Sequence, residues 1–101
     1  MRDPAILEQV KSTLALLIVK APGRAIEVRV PPYAAVQCGD GPTHTRGTPP
    51  NVIEMDADTW LALAKGETNW AAAMQTGKIN ASGARADLSE YLPLAPNRIT
   101  P

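Results

Sequence analysis

At 101 residues the chain has room for one domain and one core, near the lower end of comfortable independent stability. Ten basic residues balance ten acidic ones, which argues against nucleic acid or an anionic membrane as the main partner and weakens the repulsion that opposes self-association. An apolar share of 45% predicts a packed core, yet there is no Phe, so the core rests on Leu, Ile, Val and Ala with Trp60, Trp70, Tyr33 and Tyr91.

Asp3-Pro4 is a helix start, because Asp caps orphan amides and Pro is pre-set for the first helical position. Ile6, Val10, Leu14 and Leu17 then line one helical face, broadened by Leu7 and Ile18, until Pro22-Gly23 ends the helix. The apolar run from Leu14 to Val19 is short and is stopped by Lys20. It therefore predicts neither a signal peptide nor a membrane span.

The period then switches to two. Ile26, Val28 and Val30 face one way and Glu27 and Arg29 the other, the pattern of a half-buried strand. Pro31-Pro32 interrupts it, and a second strand follows over Tyr33 to Cys38, with Ala34, Val36 and Cys38 on one face. Gly39-Asp40-Gly41-Pro42 signals a reversal into a hairpin strand through Thr43 to Arg46. A stiff connection, Gly47-Thr-Pro-Pro-Asn51, leads into a short strand from Val52 to Met55.

Asp56 caps a second helix carrying Trp60, Leu61, Leu63 and Ala64, which stops at Gly66. Thr68 or Asn69 caps a third from Trp70 to Thr76, and Lys78 to Ser82 is a last strand with Ile79 and Ala81 inward. Asp87 to Leu92 predicts one short helical turn, and residues 95–101 a frayed tail. The expected architecture is a single α+β domain over residues 1–101. Its twisted, mainly antiparallel sheet has about five strands, with helices packed on one face.

Little in the sequence points to catalysis. His44 is the sole histidine; it reads as a solvated hairpin residue in preference to a general base with Arg46 as an anion clamp and Thr48 as a hydroxyl partner. Cys38 reads as a nucleophile or, by its strand phase, as a buried and inert thiol. As the one cysteine, it excludes an internal disulfide and suits a reducing cytoplasm. No spacing implies a metal site or a cofactor, and the glycines do not form a phosphate loop. Arg46-Gly-Thr-Pro-Pro-Asn51 is either a stiffened crossover or a fixed frame presenting His44, Arg46, Thr48 and Asn51 to a ligand or partner.

The stretch Asp56-Ala-Asp-Thr-Trp-Leu-Ala-Leu-Ala-Lys-Gly66, followed by Trp70-Ala-Ala-Ala-Met-Gln-Thr-Gly-Lys-Ile-Asn-Ala-Ser-Gly83, resembles the sterol carrier protein (SCP-2-like) family. Val30-Pro-Pro-Tyr-Ala-Ala-Val-Gln-Cys38 and His44-Thr-Arg-Gly-Thr-Pro-Pro-Asn51 are similar, more particularly, to the small bacterial orthologues common in actinobacteria. The resemblance implies a twisted sheet covered by helices, with an apolar tunnel that takes sterols, fatty acids or acyl chains. Candidate wall residues, by periodicity, are Leu14, Leu17, Val36, Trp60, Leu61, Trp70, Met74, Ile79 and Leu92. A cavity of several hundred cubic ångströms would thin the core of so short a chain, so the tunnel is expected to be small, open-ended or filled. Two functions follow: a non-catalytic carrier of apolar small molecules, or an interaction module that uses the 44–51 loop on a protein partner or a second copy.

Overall fold

A computed structural model describes residues 3–41 and 50–94. Helix α1 runs Pro4–Lys20, followed by strands β1 Ile26–Val30, β2 Ala34–Cys38 and β3 Asn51–Met55, helices α2 Ala57–Lys65 and α3 Trp70–Gln75, and strand β4 Ile79–Ser82. The expected hairpin strand at Thr43 to Arg46 lies outside the described residues. Among those described the sheet has four strands, in the order β2-β1-β3-β4.

Local chemistry accounts for the helix ends. The Asp3 carboxylate accepts from the amides of Ala5 and Ile6, Asp56 from Thr59, and Asn69 from Ala72. Asn69, rather than Thr68, is therefore the cap of α3. Gly66 closes α2 at φ 80, a left-handed position that glycine alone takes without cost.

Alternation accounts for the sheet. β1 shows the buried, half-buried, buried pattern expected of Ile26, Val28 and Val30. β1 pairs antiparallel with β2, placing Val28 opposite Val36, and β3 pairs antiparallel with β4, placing Met55 opposite Ile79. The central pair, β1 with β3, is parallel. One face carries Ile26, Val28, Val30, Ile53 and Met55 into the core; the other carries Glu27, Arg29, Gln37, Glu54 and Asn80. A 2.8 Å ion pair joins Arg29 to Glu27 on that outer face.

Helix α1 buries Val10, Leu14 and Leu17, while Leu16 and Val19 face outward and Ile18 is also exposed. Trp60 of α2 is fully buried against this helix, its Nε1 donating to Thr13 Oγ1 at 2.8 Å. The space between sheet and helices is filled by Leu14, Leu17, Val28, Ile53, Trp60 and Leu88, each with at most 1% of its surface exposed.

Candidate functional site

Residues 83–94 form a strap that crosses the end of the sheet and returns to the helices. It begins at Gly83, where a side chain would collide with Asn51. The buried Asn51 amide fixes this start. Its Nδ2 donates to Ala25 O at 2.9 Å and its Oδ1 accepts from Arg85 N at 2.8 Å, tying β1, β3 and the strap at one point. Leu88 then turns wholly into the core. Asp87 Oδ1 accepts from Ser89 N at 2.8 Å and starts a single 3₁₀ turn, Ser89–Tyr91.

Two ties hold the far end. Lys20, the last residue of α1, donates from Nζ to the carbonyls of Tyr91 and Pro93, both at 3.0 Å. A cation at this position also meets the negative end of the helix dipole. Leu94 N donates to Ala64 O at 3.0 Å, and the Leu94 side chain is buried.

The 3₁₀ turn stands between two clefts, and Ser89 lines both. One, of about 360 Å³, is polar: Asp40, Arg85, Asp87, Glu90 and Tyr91 surround the edge of Ile26. The other, of about 260 Å³, lies between Trp70, Leu92 and Pro93, with Thr68 and Asn69 at its rim. The first suits a polar group. The second offers an aromatic ring and aliphatic carbons, the lining an apolar molecule needs.

Hydrogen bonding to the Glu90 carboxylate, reinforced by burial and by that negative charge, holds the Tyr91 phenol above its usual range. Burial pushes the Cys38 thiol from 9.0 up to about 11, which removes the thiolate at neutral pH. Among the described residues no group of three or more His, Cys, Asp or Glu is placed to hold a metal ion. Also among them, no helix is long and apolar enough to cross a membrane.

The nine expected wall residues divide three ways. Leu14, Leu17, Trp60, Leu61 and Ile79 belong to the buried core, where each packs against protein. Val36, Trp70 and Leu92 are partly buried against that core, and the last two meet across the smaller cleft. Met74 is turned to solvent, 42% exposed, because α3 presents Ala73 to the core instead. Of the polar loop residues, Asn51 is engaged inside the fold, whereas His44, Arg46 and Thr48 lie outside the described residues.

Of the strap's anchors, Asn51 is a polar candidate in the sequence, whereas Lys20, Ala64 and Leu94 are not. Lys20 at the end of the first helix and Leu92 as a wall candidate are the available signals. Neither indicates that these two elements meet, since the Lys20 bonds span more than 70 residues.

No curated protein matches the chain. The family model described as bacterial SCP ortholog matches residues 3–94, from the cap of α1 to the buried end of the strap. With that match covering nearly all of the sequence and the four described strands, the chain belongs to the bacterial SCP ortholog family.

Proposed function

We propose that this domain is a non-catalytic carrier that binds a small apolar or acyl-type molecule. The observation that carries the reading is the cleft between Trp70, Leu92 and Pro93, which opens beside an aliphatic core in a chain of this family. Two residues expected from sequence to wall an apolar site meet there. Thr68 and Asn69 stand at its rim. A reducing cytoplasm suits the chain, because its one thiol is buried.

Native mass spectrometry of freshly purified protein is expected to show a co-purifying small molecule, and Trp70 emission is expected to shift when delipidated protein meets a fatty acid. Trp70→Ala should weaken such binding about tenfold, on the order of the energy of one aromatic wall. Delipidated protein whose emission is unmoved by fatty acid, acyl or sterol probes overturns the reading.

A second reading is favoured by the filled interior: a domain of the same fold that meets a protein or a second copy. It predicts sedimentation as a dimer or complex, and a change in that behaviour on Arg46→Ala.

A further inference from the structure

We propose that the strap of residues 83–94 is the gate of the apolar site, with Leu88 holding the place a ligand's chain takes when the strap lifts. This rests on the carrier reading above and assigns its route of entry. Between sheet and helices the described side chains leave a ligand nothing to enter without displacing one of them. Leu14, Leu17 and Trp60 sit on helices, and Val28 and Ile53 on the two central strands, so moving them breaks helix turns or sheet ladders. Leu88 is the exception. It is equally buried, but it comes from a segment outside every helix and strand except the adjoining 3₁₀ turn.

Among the described residues, the strap's hydrogen bonds to the body are few and lie at its two ends, and between them it is held by the packing of Leu88 and its apolar neighbours. Arg85 is held by its amide on Asn51 and a weak 3.4 Å guanidinium contact to Asp40 O, and the far end by Lys20 and Ala64. Segments outside the helix and sheet ladders, held by few hydrogen bonds, are the ones that open locally without global unfolding. The two clefts flank the turn and share Ser89, so lifting the turn merges them, and Leu88, which adjoins the turn, leaves the core with it. Separately, at about 360 and 260 Å³, one lies near the small end of ligand sites and the other below it; joined, they fall well inside the ordinary range. The joined site places polar groups at one end and Trp70 and Leu92 at the other, an arrangement that takes an amphiphile with a single chain.

The test uses cis-parinaric acid, a fluorescent fatty acid, with wild-type protein, Lys20→Ala, Leu88→Val and the control Lys65→Ala. Lys20→Ala removes the clasp on Tyr91 and Pro93 and raises the open fraction. Its apparent Kd should fall about 3- to 10-fold, since a closed majority taxes affinity in proportion. Leu88→Val should move it the same way, and Lys65→Ala should leave it unchanged. Hydrogen exchange at the Arg85 and Leu94 amides should accelerate in the ligand-bound wild type.

If the acid binds wild type while those amides keep their protection and Lys20→Ala leaves Kd unchanged, the gate is refuted and the carrier reading stands. Absence of binding to all four proteins refutes both.

Discussion

Trp60 carries the largest fully buried side chain, and its single polar atom has one partner, Thr13 Oγ1 at 2.8 Å. A buried N–H without a partner loses its desolvation cost unrepaid. Thr13→Val should therefore destabilise by about 1–3 kcal/mol in urea unfolding. Trp60→Phe on that background deletes the orphaned donor, so the double variant should lose less than the two single losses combined. Cys38 yields a prediction in pH. The unfolded thiol ionises near 9.0 and the folded one at about 11, so the folded state holds the extra proton between them. Stability is then flat in this respect below pH 9 and falls as pH rises toward 11, by at most about 1.4 kcal/mol per unit. Cys38→Ala should flatten that fall in thermal melts, and iodoacetamide should label wild type at pH 8 only after unfolding. Burial of both residues was legible from periodicity. The Trp60–Thr13 bond was not, because two helices 47 residues apart meet there and neither sequence segment names the other.

Elements were legible where their signals are local. Asp3-Pro4, Asp56, Asn69 and Gly66 each act within one helical turn, and all four end or begin helices where expected. Asp56 permits a quantitative check. Its carboxylate accepts from Thr59 N at 2.8 Å, and that bond, with the Thr59 hydroxyl, holds it below the usual carboxylate range. A depressed folded pKa gives stability that is present above the unfolded value and lost as pH falls through the folded one. Asp56→Ala should thus cost about 0.5–2 kcal/mol at pH 7, with the gap to wild type closing under acid conditions. Asp56→Asn keeps an acceptor and should cost less. The parallel pairing of β1 with β3 was not legible, because alternation marks a strand's two faces and says nothing of its neighbours. Nor was the outward Met74: a six-residue helix has too few turns for spacing to choose a face.

At the scale of the whole molecule, the described side chains from helices, sheet and strap meet in one buried core. Leu14 and Leu17 from α1, Val28 and Ile53 from the sheet, Trp60 from α2 and Leu88 from the strap close one core. Sequence showed which of these were apolar but not that the strap would supply Leu88, since a tail segment's depth depends on the bodies it crosses. Truncating that residue tests how rigid the filling is. Leu88→Ala removes three carbons from a site with no exposure, and surroundings that cannot collapse leave a dry cavity at a cost of about 2–5 kcal/mol. Such a loss is large against the stability of a domain this size, so Leu88→Val, at roughly 1 kcal/mol, is the parallel variant. Benzene binds dry aliphatic cavities and stabilises only the state that has one. Its addition should raise the Tm of Leu88→Ala by several degrees, raise Leu88→Val less and leave wild type unmoved, on a scale of about 4–8 °C per kcal/mol. A Leu88→Ala protein that folds and ignores benzene would mean that strap and sheet close over the gap. The core beneath the strap would then be plastic, and the pre-shaped slot that an acyl chain needs would be missing.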